Sequence, residues 1–118
     1  MAGREALRRG DIRWYRFASP NKRRPVLILG QETVLRSSSD IPVIPLSTQV
    51  RGLPWEVLLG PTEGFQIPSV LKPEWIRSVP HDEIGPWICS FPEQRWSEVR
   101  AAVLAVLGLD TSPVVSGT

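Results

Sequence analysis

The sequence predicts a mainly β (α+β) domain, a small half-open β-barrel closed by a C-terminal α-helix. Three observations carry this prediction. Short apolar segments recur along the chain, separated by turns rich in Pro, Gly and Ser. Val26-Leu27-Ile28-Leu29, bounded by Pro25 and Gly30, has no polar break, which is the pattern of a strand buried on both faces. A helical period appears at the end, where Trp96, Val99, Val103, Val106 and Leu107 recur at intervals of three and four. Strands packed under one amphipathic helix form a two-layer domain.

The elements follow in order. Residues 1–9 read as a flexible basic lead-in, 10–110 as the barrel domain and 111–118 as a small, polar, disordered tail. Gly10-Asp11 opens the aromatic and basic strand Ile12–Phe17, and Ser19-Pro20-Asn21 turns it into the Val26–Leu29 strand as a hairpin. Gln31–Ser39 is a short helical turn or loop. Pro42 and Pro45 cannot donate to a ladder, so Ile41–Leu46 is expected as an edge or bulged strand. Leu53–Leu59 is a further strand, and Gly60–Gly64 a loop. Gln66–Leu71 and Glu74–Val79 are two strands, or one broken at Lys72-Pro73. Pro80–Gly85 is a tight turn and Trp87–Cys89 the last strand. Ser90 followed by Glu93 is a capping-box signature for the helix, and Gly108 is its expected stop.

A chain of 118 residues suits one domain with a real core. No apolar run is long enough to span a bilayer, and Met1–Arg9 is too charged for a secretory signal, so a cytoplasmic protein is expected. A single cysteine, Cys89, cannot build a disulfide framework and reads as core filler. With a single histidine, His81, and no CxxC, no metal and no cofactor are expected. The charge is unevenly spread. Residues 1–36 hold nine cations against three acids, a net of +6, whereas 37–118 hold five against nine, a net of −4. One basic surface therefore suits a polyanion, nucleic acid above all. Lys22-Arg23-Arg24 leads directly into the buried strand, so its guanidinium forks are placed to grip phosphate, although solvated loop charges read the same way.

The order of these segments resembles the MazF/PemK toxins. Asp11-Ile12, Arg24-Pro25-Val26-Leu27-Ile28, Pro45-Leu46-Ser47-Thr48, Ser69-Val70-Leu71, Ile76-Arg77-Ser78-Val79 and the helix end Leu107-Gly108-Leu109 carry the resemblance over roughly residues 9–110. It implies an SH3-like barrel that forms a homodimer. It also implies a ribosome-independent, metal-free endoribonuclease that cuts single-stranded RNA at short sequences. The products would be a 2′,3′-cyclic phosphate and a free 5′-hydroxyl, and a cognate antitoxin would occupy the RNA groove.

The resemblance places the essential arginine at Arg24 and the essential hydroxyl at Ser47, with Thr48 adjacent; a strand-ending serine also commonly satisfies local backbone. Transesterification needs an acceptor for the 2′-proton, a donor to the 5′-oxygen and fixed positive charge at the phosphorane. Arginine side chains stay protonated at neutral pH, so a stabiliser or acid role is easier than a base role. The resemblance further implies Glu74 as general base and Lys72 as phosphate contact. Lys22, Arg23, Gln49, Arg51, Lys72 and Arg77 complete the expected RNA-contact set.

Two departures from the pattern stand out. The loop at 18–23 is short, and Trp75 follows the acidic position where the family commonly has glutamine. Trp14, Trp55, Trp75 and Trp87 are each open to two readings, as a base-stacking surface or as packing in the core or dimer interface. A non-catalytic RNA- or peptide-binding barrel is the alternative reading. A gyrase poison on the same barrel is disfavoured, because the helix end Val106–Leu109 lacks the aromatic it would use.

Overall fold

The computed structural model describes residues 6–18 and 22–110. The first residues of the lead-in, the tip of the first hairpin and the tail expected at 111–118 lie outside the described residues. Among the described residues seven strands are formed: β1 (Asp11–Phe17), β2 (Lys22–Ile28), β3 (Asp40–Ser47), β4 (Val57–Leu59), β5 (Ser69–Leu71), β6 (Arg77–Pro80) and β7 (Trp87–Ser90). Two helices join them, α1 (Glu32–Ser37) and α2 (Trp96–Leu107). The strands run antiparallel in the order β4-β5-β3-β2-β1-β7, with β6 also paired to β3.

The buried run predicted in β2 is confirmed, and its position explains the sequence. Val26, Leu27 and Ile28 are fully buried between β1 and β3. Leu27 points into a core with Ile12, Leu46, Leu59, Leu71 and Val99, which lies under α2. Val26 and Ile28 point the other way, into a second core with Tyr15, Phe17, Leu35, Ile41 and Val43. A strand with cores on both faces has no polar position to spare.

β3 departs from expectation. Its two prolines predict an edge or bulge, yet it is the hub of the fold. It pairs with β2 along one side, with β6 through residues 40–43 and with β5 through residues 46–47 on the other. Each proline forfeits a donor but keeps its acceptor. The Pro42 carbonyl accepts from Leu29 N–H and the Pro45 carbonyl from Lys72 N–H, at 3.0 and 2.9 Å. Pro45 sits where the partner changes from β6 to β5, so the curl of the barrel is made beside it.

Three of the expected strands are shorter than their apolar runs. Of Leu53–Leu59 only Val57–Leu59 is strand, because the Glu56 carboxylate accepts from the backbone N–H groups of Arg51, Gly52 and Leu53 and curls that segment into a turn. Gln66–Leu71 shrinks to Ser69–Leu71 behind Pro68. Glu74–Val79 becomes a 3-10 turn at Pro73–Trp75 followed by β6. The capping box at Ser90 does not form either. Ser90 is paired with Asp11 in the β1–β7 ladder, and a 3-10 turn at Glu93–Arg95 precedes α2. Gly108 ends α2 in the left-handed region at φ 73°, as its position predicts.

Gly85 holds the edge next to Trp14. Its N–H donates to the Trp14 carbonyl at 2.8 Å, and a Cβ there would meet that oxygen at 2.9 Å. Gly85→Ala is expected to cost about 1–3 kcal/mol, read as a lowered midpoint in urea with an unchanged slope.

Candidate RNA groove

Arg24 is placed by the strand register. It stands opposite Tyr15 in the β1–β2 ladder, one turn of the pleat from the buried Val26. Its Nη1 donates to the Leu46 carbonyl at 3.5 Å, and its guanidinium lies 5.3 Å from the centre of the Trp75 ring. Leu46 precedes Ser47, so the arginine reaches across to the end of β3. Ser47 is 6% exposed, and its Oγ accepts from the Gln49 N–H at 3.1 Å. A hydroxyl has one proton and two lone pairs. With a lone pair used on Gln49, the proton stays available for an incoming oxygen. The local-backbone reading of Ser47 is therefore correct as far as it goes, and it leaves the donor free.

These residues line one groove of about 430 Å³, within the range of small-ligand sites. Lys22, Arg23 and Arg24 supply its cationic lining, and Ser47 and Thr48 its hydroxyls. Its lining also has an apolar part, which includes Phe65, Ile67, Trp14 and Ile88. No Asp or Glu is among its lining residues. Arg23 stacks on Trp14 at 4.4 Å and stands directly opposite Arg16 in the β1–β2 ladder. Like charges facing each other across strands are destabilising by themselves, and an anion bound between them would relieve the repulsion.

The remaining sequence-predicted residues separate from the groove. Lys72 is 3% exposed; its Nζ lies 2.9 Å from Glu56 and 3.2 Å from Glu74. Its ammonium is thus held between two carboxylates, an arrangement that ties this part of the fold together. Burial alone would lower the Lys72 pKa, but its hydrogen bonds to Glu56 and Glu74 outweigh that and raise it. Glu74 lies in the Pro73–Trp75 turn, paired with Lys72 and outside the groove lining. Gln49 and Arg51 are exposed on the loop after β3. Arg77 stacks on Phe17 at 5.2 Å, outside the groove lining.

The tryptophans divide as well. Trp14 lines the groove, Trp75 supports Arg24 from outside it, Trp87 is 56% exposed on β7, and Trp55 packs against the core under α2. Cys89 is half-buried against that core, and burial followed by the nearby Glu63 charge pushes its thiol pKa up. A thiol held protonated suits packing better than nucleophilic attack.

The sequence profile described as PemK-like, MazF-like toxin of type II toxin–antitoxin systems matches residues 8–107. The chain belongs to this family. Endoribonuclease MazF3 of Mycobacterium tuberculosis (strain CDC 1551 / Oshkosh) is 36% identical over 69 residues, which span 58% of this chain and 67% of that protein. The solved structure of Mycobacterium tuberculosis toxin MazF-mt6 superposes with a TM-score of 0.77 at 29% identity, over 86% of this chain and 99% of that one. An endoribonuclease solved in complex with its cognate antitoxin, from a mycobacterial species, shares the fold at 20% identity and a TM-score of 0.75, over 92% of this chain and 100% of its own.

For this MazF-like chain, sequence reading missed the apolar wall and Arg16. The segment 64–67 read as a loop running into a strand, whereas it is a loop whose Ile67 is 67% exposed at the groove. Pro68 was the available signal, because it forbids the ladder donor that a strand there would need. Arg16 became informative only once the register set it against Arg23.

Proposed function

We propose that this MazF-type endoribonuclease cleaves single-stranded RNA in the groove between Arg24 and Ser47, at specific short sequences, without a metal ion, by attack of the RNA's own 2′-hydroxyl. The observation that carries the reading is the convergence of Arg24 and the free O–H of Ser47 on one groove beside Lys22 and Arg23. As the 2′-oxygen bonds to phosphorus, negative charge accumulates on the non-bridging oxygens. Arg24 supplies a fixed cation with a two-pronged donor edge, and Ser47 a single donor from the other side. The 2′-hydroxyl gives its proton to solvent as its oxygen bonds to phosphorus; breaking the bond from phosphorus to the 5′-oxygen gives the 2′,3′-cyclic phosphate, and the departing oxygen takes a proton from solvent to become the 5′-hydroxyl. With no carboxylate in the lining, the groove suits charge stabilisation better than strong base catalysis. Thr48 is exposed at the same end and is assigned to the substrate backbone.

The partners follow from the same groove. Its apolar wall suits unstacked bases, as single-stranded RNA presents them. Its cationic side suits the acidic segment of a cognate antitoxin, and we place the working form as a cytoplasmic homodimer. Among the described residues no helix is long and apolar enough to cross a membrane.

The test is incubation of the purified protein with a long unstructured RNA in EDTA, followed by mapping of the ends. Discrete cuts ending in cyclic phosphate support the reading. RNA that is bound in a salt-sensitive way but stays intact would replace it with the binding-module reading. Ser47→Ala is expected to lower the cleavage rate about 10- to 100-fold while the Gln49 N–H turns to solvent. Ser47→Thr, which keeps the hydroxyl, should recover most of that loss.

A further inference from the structure

Trp75 is 40% exposed, yet its ring is flanked by two cations. The Arg24 guanidinium lies 5.3 Å and the Lys72 ammonium 5.4 Å from the ring centre. The two cations are not equivalent. Lys72 is buried and committed to Glu56 and Glu74. Arg24 has one long hydrogen bond, 3.5 Å to the Leu46 carbonyl, which orients it weakly.

The backbone that carries the ring is firmly set. It ends the Pro73–Trp75 turn, in which Trp75 N–H donates to the Lys72 carbonyl at 2.8 Å and Ile76 N–H to the Pro73 carbonyl at 3.1 Å. Lys72 N–H in turn donates to the Pro45 carbonyl. Both supports of Arg24, the Leu46 carbonyl and the Trp75 ring, are thus tied to the same end of β3, where Ser47 also sits.

A carboxylate partner would orient an arginine better, but it would neutralise the charge and occupy the N–H donors that a phosphate needs. An aromatic face attracts the guanidinium through its quadrupole and takes none of the in-plane donors. We propose that Trp75 is a positioning residue for Arg24, holding the guanidinium toward the groove while leaving its charge and donor edge for the scissile phosphate. This rests on the reading of Arg24 as the phosphate ligand given above.

The experiment measures steady-state cleavage of an RNA oligonucleotide spanning a mapped cut, by Trp75→Phe, Trp75→Leu, Trp75→Ala and Arg24→Ala proteins, with melting temperatures recorded alongside. Leucine fills space without a π-face, and phenylalanine keeps the face. Trp75→Leu and Trp75→Ala are expected to lower kcat roughly 10-fold with KM changed less than about twofold, and Trp75→Phe to stay close to the parent. If Trp75→Ala fails to fold, the Phe–Leu pair still decides. Three outcomes overturn the proposal: parental kcat in Trp75→Leu, equal losses in Leu and Phe, or a raised KM with unchanged kcat, which would make Trp75 a base-stacking surface. Arg24→Ala separates the levels. Its inactivity beside a fully active Trp75→Leu sinks this inference alone, and its full activity sinks the Arg24 assignment beneath it.

Discussion

Replacing Arg24 with alanine is expected to lower RNA cleavage by about three orders of magnitude and to shift the melting temperature by no more than a few degrees. The two halves of this expectation have separate causes. The guanidinium is the groove cation that reaches the end of β3, where Ser47 presents its hydroxyl. Lys22 and Arg23 remain in the variant and keep RNA attached, so the loss falls on kcat more than on KM. Stability is spared because Arg24 gives the fold one hydrogen bond of 3.5 Å and an aromatic contact near the surface, while the strand is held by Val26, Leu27 and Ile28. Arg24→Lys is the informative companion. It keeps the charge but loses the fork, and is expected to recover less than a tenth of the lost rate. Full activity in Arg24→Ala would move the chemistry out of this groove.

How much of this was legible in the sequence depends on the range of the interaction involved. The β2 core run, the hairpin it forms with β1, α2 and its Gly108 stop rest on local pattern, and all are present in the structure. Lys22, Arg23 and Arg24, expected at the mouth of that strand, lie within it, because β2 begins at Lys22 and all three pair with β1. The errors come from contacts between distant residues. Pro42 and Pro45 argue for an edge when donors alone are considered. Their carbonyls, accepting from Leu29 and Lys72, keep β3 in the middle of the sheet. Lys72 and Glu74 look like an exposed site pair because they are two residues apart. What claims Lys72 is Glu56, sixteen residues earlier and itself wrapped by the backbone of residues 51–53. Chain spacing contains no trace of that pairing. Burial commits a lysine read as a phosphate contact to an ion pair, and only the tertiary fold brings Phe65 and Ile67 into one groove with Lys22–Arg24.

The same burial gives Lys72 a large expected effect on stability. Lys72→Met keeps the length of the side chain and removes its charge, which leaves the Glu56 and Glu74 carboxylates facing each other without a cation. Breaking one side of a buried pair is far costlier than never having built it, so the melting temperature is expected to fall by roughly 10 °C or more. The pH dependence gives the cause a signature. Glu56 sits below the ordinary carboxylate pKa, chiefly through its hydrogen bond with Lys72 and then through the Arg51 and Leu53 N–H groups, against the opposing effect of burial. Its stabilisation is therefore complete above the ordinary carboxylate value of 4.5 and is lost as pH falls through the lowered folded one. Lys72 runs the other way. Its raised pKa gives stability that is complete below the ordinary 10.5 and is lost as pH rises through the folded value. Thermal melts of the two proteins should thus differ most between about pH 5 and pH 10 and converge at both extremes. In acid the convergence has a second source, because protonation relieves the stranded carboxylates of Lys72→Met. The double variant Lys72→Met, Glu56→Gln should melt above Lys72→Met at neutral pH, since the amide oxygen still accepts from residues 51–53 and no longer carries a buried charge. A double variant no more stable than Lys72→Met would mean that the lysine stabilises by packing its stem and not by its charge.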